Sequence, residues 1–177
     1  MDNVIGGSLN DTFMGNSLAN VLTGGMGNDT YAFDTDLALG SDTINEAGGG
    51  IDALDFSGTT TRNIALDLSN AAAQVVNTGL TLTLSSATTL ENIVGGALND
   101  TLTGNSLANV LTGGAGNDTY VFDTDLALGS DTINEAGGGI DTLDFGGTTT
   151  RNIAIDLSKA TSQTVNVGLT SVVDTQL

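Results

Sequence analysis

An internal duplication constrains the fold of this chain more than any other feature. Residues 2–80 recur at residues 91–169 with a shift of 89, and 63 of the 79 paired positions are identical. A shorter period of nine residues lies inside each copy and is clearest in residues 24–32 and 113–121. Nested periods of this kind predict a repeat protein, in which each coil buries its apolar residues against the next coil.

The two copies are interpreted as units of one continuous solenoid. Unit 1 covers residues 2–90 and unit 2 covers residues 91–177. Both termini align with positions inside the repeat, which suggests a fragment of a longer tandem array. The chain has 25 Gly, no Pro, no Trp, five Phe and two Tyr among its 177 residues. This composition suits stacked coils with small aliphatic cores better than one large globular core.

The charge balance favours a cation as a partner. The net charge is −18, because 18 Asp and three Glu are opposed only by Arg62, Arg151 and Lys159. Such a surface is a poor partner for nucleic acid or an anionic membrane. Asp outnumbers Glu six to one and clusters beside Gly, which is typical of tight turns and compact metal-binding loops. A solvated acidic surface that serves only solubility is the alternative interpretation.

Several function classes lack the residues that they need. The sequence has no Cys and no His, which excludes disulfides, zinc-thiolate sites, thiol nucleophiles and imidazole bases. We therefore expect no enzyme activity, although paired carboxylates such as Asp52 and Asp55 could in principle support acid–base chemistry. We also expect no membrane insertion, since no apolar run is long enough to span a bilayer, and the N-terminus lacks the features of a secretory signal.

The nine-residue period predicts short strands separated by turns. Three consecutive nonapeptides, residues 6–32, open unit 1 and recur in unit 2. Their last thirds, residues 12–14, 21–23 and 30–32, place a large apolar residue between residues suited to extended backbone. A short strand followed by a six-residue turn brings the chain back above itself after about 18 residues. The sequence thus predicts an all-β parallel roll, in which alternate nonapeptides stack on the same side.

The predicted stacking superimposes acidic side chains. Alternate nonapeptides carry Asp11 and Asp29 at the sixth position, and adjacent coils lie about 4.7 to 4.9 Å apart. Like charges at this separation destabilise the fold unless a positive ion lies between them. A hard divalent cation held by carboxylates and turn carbonyls satisfies this requirement. Glycine supports such a site, because it lets the turn adopt left-handed backbone conformations that direct carbonyls toward the ion.

Two of the nonapeptides resemble a known calcium-binding signature. Residues 24–32 read GGMGNDTYA and residues 113–121 read GGAGNDTYV. Both fit the G-G-x-G-x-D-x-U-x pattern of the RTX (repeats-in-toxin) family, whose members carry hemolysin-type calcium-binding repeats. The resemblance implies a right-handed parallel β-roll, or β-helix solenoid, with Ca²⁺ between successive turns. It also implies a protein that bacteria export.

The resemblance further implies a set of calcium ligands. The sixth position of each motif supplies a side chain, and the motif glycines contribute backbone. Asn at the sixth position keeps an oxygen ligand but lacks its charge, so weaker binding is expected there. The implied side-chain ligands are Asp11, Asp29, Asp100 and Asp118, with Asn20 and Asn109 as weaker ones, and the implied backbone ligands are Gly6, Gly7, Gly24, Gly25, Gly27, Gly95, Gly96, Gly113, Gly114 and Gly116.

Looser acidic turns follow the nonapeptides and supply further candidates. Some of them retain a G-x-D-x-U remnant of the motif. Others begin like an EF-hand loop but lack its ligands and its glycine from the fifth position onward. In unit 1, Asp34 or Asp36 is expected to face the turn of residues 15–20 across the roll. A plain acidic turn without a ligand is the alternative. The remnant candidates are Asp42, Asp52, Asp131 and Asp141, and the others are Asp34, Asp36, Asp123 and Asp125.

The predicted function is that of a calcium-binding structural module in a large secreted or surface-bound bacterial repeat protein. In this interpretation the chain stays unfolded at low cytosolic calcium and folds on calcium binding outside the cell, after export by a type I pathway. The expected partners are calcium ions, neighbouring repeats and, through uncapped solenoid ends, further copies of the chain. The alternatives are an adhesive surface that binds a ligand or polysaccharide, and an accessory module of a secreted hydrolase.

Overall fold

The computed structural model describes residues 2–135, 137–159, 163–166 and 169–173. Regular secondary structure in these residues consists of β-strands, which confirms the predicted all-β class. Within these ranges no helix is long and apolar enough to cross a membrane. The strands are β1 (Asn3–Ile5), β2 (Thr12–Met14), β3 (Val21–Thr23), β4 (Thr30–Ala32), β5 (Gly40–Asn45), β6 (Ala53–Asp55), β7 (Ala65–Asp67), β8 (Gln74–Asn77), β9 (Leu80–Leu84), β10 (Asn92–Val94), β11 (Thr101–Thr103), β12 (Val110–Thr112), β13 (Thr119–Val121), β14 (Gly129–Asn134), β15 (Thr142–Asp144), β16 (Gln163–Asn166) and β17 (Leu169–Val173).

Successive strands alternate between two faces, as the predicted parallel roll requires. Face A begins with a sheet in the order β1-β3-β5-β9-β8 and continues with a second sheet in the order β7-β11-β13-β15. Face B is one sheet in the order β2-β4-β6-β10-β12-β14-β17-β16. The pairings are parallel except for two hairpins, β8–β9 and β16–β17. The chain therefore crosses from one face to the other after nearly every strand.

The register between strands follows the nine-residue period at first and then loosens. Asn3 pairs with Val21, and Thr12 pairs with Thr30, so the first coils advance by 18 residues. Beyond β4 the turns lengthen, and Thr30 pairs with Ala53, 23 residues later. The extra residues lie in turns, so the strands keep their alignment while the turns gain room for additional side chains.

The core is a narrow column of apolar side chains between the faces. In a three-residue strand the middle side chain points inward, since successive side chains alternate between the two sides of a sheet. Phe13, Leu22, Tyr31 and Leu54 occupy such positions and are buried. Phe13 stacks on Tyr31 with ring centroids 5.4 Å apart. Each coil thus buries about one large side chain per strand, which explains how few aromatic residues suffice.

The turns that join the faces form two edges of the roll. We call the edge that leads from face A to face B the first edge, and the edge that leads back the second edge. Backbone hydrogen bonds connect stacked turns, such as the bond from Met26 N–H to the Gly7 carbonyl at 3.3 Å on the first edge. The first edge contains turns 6–11, 24–29, 46–52, 85–91, 104–109 and 122–128, and the second contains turns 15–20, 33–39, 56–64, 95–100, 113–118 and 135–141.

The two units enter the roll on opposite faces. β1 opens unit 1 on face A, whereas its counterpart β10 opens unit 2 on face B, paired with β6. This swap occurs because β1 to β7 alternate faces, so that β7 lies on face A, and the hairpin β8–β9 stays on face A before the chain crosses to β10 on face B. As a consequence, the complete nonapeptide turn 24–29 lies on the first edge, and its copy 113–118 lies on the second.

A hairpin joins the two sheets of face A. The sequence predicts β8 and β9 as ordinary strands of the roll, but β8 pairs with β9 in antiparallel orientation. The side chain of Gln74 then links β8 to β7: its Oε1 accepts from Asp67 N–H at 2.9 Å, and its Nε2 donates to the Asp67 carbonyl at 3.0 Å. This amide reproduces the pair of hydrogen bonds that a neighbouring strand would supply.

Candidate metal centre

Three carboxylates converge on the first edge of unit 1. Asp29 ends the turn before β4, Asp52 ends the turn before β6, and Glu46 begins that same turn directly after β5. One oxygen atom from each carboxylate lies within 4.8 Å of the others. All three residues are buried. Burial of three acidic groups at this separation is the strongest indication of a binding site in the described residues.

The local sequence shapes this cluster through glycine. Gly25 and Gly27 have φ angles of 108° and 114°, in the left-handed region that glycine tolerates and that side chains disfavour. Gly24 does not have a left-handed φ angle, but its lack of a side chain leaves space at the centre of the three carboxylates. A Cβ atom on Gly24 would overlap Glu46 Oε2, Asp29 Oδ2 and the Tyr31 hydroxyl. The glycines of the nonapeptide therefore bend the turn and keep the centre of the cluster open.

Hydrogen bonds occupy one oxygen of each aspartate and leave the other unpartnered. Asp29 Oδ1 accepts from Asp11 N–H at 2.8 Å, and Asp52 Oδ1 accepts from Asp29 N–H at 2.7 Å. This ladder fixes the carboxylates of adjacent coils above one another. The Oδ2 atoms of Asp29 and Asp52 are buried without a hydrogen-bond partner. A buried carboxylate oxygen in this state is strongly destabilising unless a cation or a proton compensates it.

Glu46 is held in place by its own turn and by the core tyrosine. Its Oε1 accepts from the N–H groups of Ala47 and Gly48 at 3.0 and 3.2 Å. Its Oε2 accepts from the Tyr31 hydroxyl at 2.6 Å. Tyr31 thus serves both as the apolar residue of its strand and as a hydrogen-bond donor that orients the third carboxylate.

Unit 2 repeats the cluster on the second edge with Asp118, Glu135 and Asp141, again within 4.8 Å. Asp141 Oδ1 accepts from Asp118 N–H at 2.9 Å. The Tyr120 hydroxyl donates to Glu135. Asp118 Oδ2 and Glu135 Oε2 are buried without a hydrogen-bond partner. Because the duplicated sequence builds the same arrangement on both edges, it follows from the sequence of the unit and not from one local contact.

The pKa values of these groups reflect burial first and mutual repulsion second. Burial raises the pKa of Asp52 to about 6, and the charges of Glu46, Glu91 and Asp29 add to the shift, while the hydrogen bond from Asp29 N–H opposes it. Burial likewise raises the pKa of Glu135 to about 7, helped by the nearby Asp141 and Asp118 charges. Without a cation, burial therefore moves the titration of Asp52 and Glu135 toward neutral pH.

The basic residues of the chain interact elsewhere. Arg62 Nη1 donates to the carbonyls of Thr35 and Leu37, Arg151 Nη1 donates to the Thr124 carbonyl at 2.6 Å, and Lys159 pairs with Asp156 at 3.4 Å. These contacts leave the acidic clusters to an external cation. The ligand atoms offered are carboxylate oxygens only, beside turns rich in carbonyls, and such a set suits a hard ion such as Ca²⁺.

Comparison with protein-family models agrees with this chemistry. The model described as Peptidase M10 serralysin C terminal matches residues 43–155, which is more than half of the chain. The model described as RTX calcium-binding nonapeptide repeat (4 copies) matches residues 5–36. The chain belongs to the serralysin C-terminal family of calcium-binding RTX proteins. No match is found among curated proteins.

Membership of the RTX family establishes several of the sequence-based predictions. The RTX resemblance and the parallel β-roll are confirmed, and Ca²⁺ is the ion of this repeat class. The chain is a calcium-binding repeat module, of a kind typical of secreted bacterial proteins. The serralysin match covers the non-catalytic C-terminal part of that peptidase class.

Other predicted ligands of the RTX roll lie in the same ladders but outside the two clusters. Asp11 Oδ2 accepts from Gly7 N–H at 2.7 Å, at the open end of the first edge. Its copy Asp100 uses both oxygens, since Oδ2 accepts from Gly96 N–H at 2.6 Å and Oδ1 from Ile64 N–H at 2.7 Å. Asp100 is therefore tied to backbone on two coils, and its role as a calcium ligand stays a prediction.

Each Asn at the sixth position of a nonapeptide is hydrogen-bonded to an aspartate from one of the motif remnants. Asn20 N–H donates to Asp42 Oδ1 at 2.9 Å, and Asn109 N–H donates to Asp131 Oδ1 at 3.0 Å. Asp42 Oδ2 is buried and unpartnered. Burial raises the pKa of Asp42, and raises that of Asp131 to about 7. The carboxylate that stacks on the turn of Asn20 is thus supplied by β5, and the one that stacks on the turn of Asn109 by β14.

Either Asp34 or Asp36 is expected to face the turn of residues 15–20, and Asp36 binds threonines of turn 56–64 on the same edge. Its Oδ2 accepts from Thr60 N–H and Oγ1 at 3.0 and 2.7 Å, and its Oδ1 accepts from Thr61 N–H and Oγ1 at 2.9 and 2.7 Å. Asp125 repeats these bonds with Thr149 and Thr150. This contact, which we call the aspartate–threonine clasp, leaves those carboxylates without free acceptor capacity.

Asp34 and Asp123 support the clasps from within their own turns. Asp34 Oδ1 accepts from Asp36 N–H at 3.1 Å, and Asp123 Oδ1 accepts from Asp125 N–H at 3.1 Å.

Other motif glycines allow close contact between the backbones of adjacent coils. A Cβ on Gly6 or Gly95 would overlap the carbonyl of the glycine one coil away. Gly114 and Gly116 repeat the left-handed angles of the unit 1 turn, with φ of 97° and 124°, while Gly113 leaves the same central space as Gly24.

Sequence reasoning missed Glu46 and Glu135. Both lie outside the nonapeptides, at the start of a turn whose length the nine-residue period does not predict. A signal was nevertheless present: the chain has three Glu, and two of them, Glu46 and Glu135, occupy the same position of the two units.

Proposed function

We propose that this chain is a calcium-dependent folding module of an exported bacterial protein. The observation that carries the proposal is the pair of buried carboxylate clusters, each with oxygens that no protein group satisfies. In the cytosol, where free calcium is scarce, repulsion within the clusters would favour the unfolded chain. Outside the cell, site affinities of about 10⁻⁴ to 10⁻³ M would suffice for binding. Binding free energy then becomes folding free energy.

The proposed calcium ligands are the side chains of the two clusters together with turn carbonyls of the nonapeptides. In unit 1 these are Asp29, Glu46 and Asp52, and in unit 2 they are Asp118, Glu135 and Asp141. An ion between them would neutralise charge that now opposes folding and would satisfy the buried Oδ2 atoms. Asp42 and Asp131, beside the Asn turns, are proposed as weaker sites, since each offers one carboxylate next to an uncharged partner.

Circular dichroism in the far ultraviolet tests the coupling. In excess chelator the chain should give the spectrum of an unfolded polypeptide, and added calcium should convert it to a β-sheet spectrum in one cooperative transition. Magnesium at the same concentration should act poorly, because it demands a more rigid octahedral shell and gives up its waters reluctantly. A chelator-treated chain that keeps its full β-sheet spectrum would refute the coupling.

A second proposal concerns the protein in which the module resides. The serralysin match over residues 43–155 favours an accessory module of a secreted hydrolase over an adhesive surface. Antibodies against the roll should then detect, in culture fluid, a longer polypeptide whose band coincides with proteolytic activity in a gelatin gel. A culture in which the detected polypeptide carries no such activity would favour the adhesive alternative.

A further inference from the structure

We propose that the two ends of the roll dock on each other in successive copies of this chain, in the register that already joins unit 1 to unit 2. The occupant of each end is therefore the opposite end of a second copy. The proposal rests on the proposed function only in that the roll must be folded. It names a surface and a register that follow from the pairing of the two units within one chain.

The internal junction between the units supplies the template. On face B, β10 pairs with β6, with Asn92 opposite Ala53 and Val94 opposite Asp55. On face A, β11 pairs with β7, with Leu102 opposite Leu66. Turn bonds extend the junction along both edges, for example from Ala97 N–H to the Thr59 carbonyl at 3.0 Å. This interface joins the end of one unit to the start of the next through backbone pairing on both faces.

The first and last strands of the described roll carry the same two halves of that interface. The shift of 89 makes β1 and β2 the counterparts of β10 and β11, and it makes β15 and residues 154–156 the counterparts of β6 and β7. β1, β2 and β15 each end a sheet. Their residues closely match the template: β1 reads NVI where β10 reads NIV, and β15 reads TLD where β6 reads ALD. Each end therefore presents a strand edge for which the opposite end is the established partner.

Exposure of apolar side chains identifies what the docking would cover. Leu157 is 62% exposed, whereas its counterpart Leu68, inside the junction, is 0% exposed. Val4 is 38% exposed and its counterpart Ile93 is 0% exposed. Leu143 and Ile155 are only partly buried, while their counterparts Leu54 and Leu66 are buried. A second copy docked in the junction register would bury these side chains as the first junction does, which is favourable.

The docked register follows directly from the template. Val4 of one copy would lie opposite Leu143 of the next on one face, and Phe13 would lie opposite Ile155 on the other. Each copy would contribute one end to each contact, so the assembly is heterologous and does not close on itself. Since every copy carries the same negative charge, association should strengthen as salt screens the repulsion.

Light scattering on the folded chain, in saturating calcium and at moderate ionic strength, tests the proposal. The average mass should rise with concentration above the monomer value of 17.7 kDa. Val4→Lys blocks one end and Leu157→Lys blocks the other, because docking would bury the added charge. Each variant alone should remain monomeric, and Ile5→Lys is a second variant of the first end. Val75→Lys is the matched control, as Val75 lies on β8, far in sequence order from either end strand, and is 69% exposed.

A mixture of the two blocked variants gives the sharpest result. The intact end of the Val4→Lys chain and the intact end of the Leu157→Lys chain remain complementary, so an equimolar mixture should give twice the monomer mass and no more. A mixture that stays monomeric, end variants that associate like the wild type, or a wild type that is folded but monomeric at every concentration would each overturn the proposal. Circular dichroism on the same samples separates this from failure of calcium-coupled folding, in which the chain stays unfolded with calcium and both proposals fall.

Discussion

At the scale of single residues, the proposed calcium site of unit 1 depends on a glutamate outside the nonapeptide. Glu46 completes the site of Asp29 and Asp52 because the turn before β6 is long enough to fold back over them. The Asp residues alone bring two carboxylates together along the ladder. The third carboxylate gives the site the charge that a calcium ion requires for tight binding.

Removal of this charge should weaken calcium binding in unit 1. Glu46→Gln keeps the size of the side chain and one acceptor oxygen but removes its charge, so we expect the affinity of this site to fall about tenfold. Calorimetric titration with calcium measures the change. Asp55→Asn is the matched control, since Asp55 lies on β6 and its Oδ1 accepts only a local bond from Ser57 N–H. Equal losses in both variants would contradict the assignment of Glu46.

The open centre of the turn gives a second residue-scale prediction. Gly24→Ala should lower calcium affinity at least as strongly as Glu46→Gln, because the added methyl group would occupy the space where the three side chains converge. Gly7→Ala is the control: its Cβ would meet Asp11 Oδ2 at an ordinary 3.7 Å. Calcium titrations followed by circular dichroism compare the two. If both alanine variants bind alike, the space beside Gly24 is not part of the site.

At the scale of elements, each aspartate–threonine clasp holds two stacked turns together, on the second edge in unit 1 and on the first edge in unit 2. The hydroxyls and N–H groups of Thr61 and Thr60 hold the pKa of Asp36 well below its usual range. A depressed pKa means that the clasp stabilises the fold above the ordinary pKa of Asp and weakens as the pH falls below it. Thr60 and Thr61 are thereby explained as partners of an aspartate in the stacked turn one coil away.

Disruption of one clasp should lower stability without changing calcium affinity. Asp36→Asn replaces an acceptor oxygen with a donor that the Thr N–H and hydroxyl groups cannot satisfy in the same way. We expect a lower thermal midpoint in calcium, with an unchanged calcium titration per folded chain. Asp144→Asn is the control, because Asp144 accepts one local bond from Gly146 N–H. A weakened calcium affinity in Asp36→Asn alone would place this residue in the metal site instead.

The strands show how much of the fold could be predicted from the sequence alone. The nonapeptide period predicted β2, β3 and β4 at their residues, since the apolar eighth position defines both strand and face. It could not predict that β8 and β9 form an antiparallel hairpin, because each reads as an ordinary strand and only their pairing distinguishes them. The Asn77-Thr78-Gly79 turn between them was the available signal.

The same limit applies to the site. Asp29 followed from the motif and Asp52 from its remnant, whereas the approach of Glu46 depends on the path of a long turn. The period also could not predict that the two units begin on opposite faces. This swap depends on the odd number of alternating strands in unit 1 and on the hairpin that follows them. The sequence period thus determines which residues stack above one another on successive coils. The turn lengths determine which of these stacks lie close together.

At the scale of the whole molecule, the net charge of −18 and the burial of several carboxyl groups make the stability of the fold depend on pH. Burial raises the pKa of Asp52 and Asp100 to about 6, and that of Asp131 and Glu135 to about 7. In the unfolded chain these groups titrate near 4. Between those values the folded state binds more protons, so stability falls as the pH rises through this window.

The pH dependence should therefore reverse with calcium. In chelator, acidification from about pH 7 toward pH 5 should increase the folded fraction, because the buried carboxyl groups become neutral. In limiting calcium, the same acidification should weaken binding, since protons compete with the ion for the carboxylates. Thermal unfolding across this range, with and without calcium, measures both trends. Identical slopes in the two conditions would show that these carboxylates do not bind the ion.

Calcium is proposed to lie among the buried carboxylates of each unit. Crystals grown in calcium, with diffraction recorded to measure the anomalous scattering of the ion, test this position most directly. We expect one anomalous peak enclosed by Asp29, Glu46 and Asp52, and a second enclosed by Asp118, Glu135 and Asp141. Peaks confined to exposed aspartates, with neither cluster occupied, would contradict it.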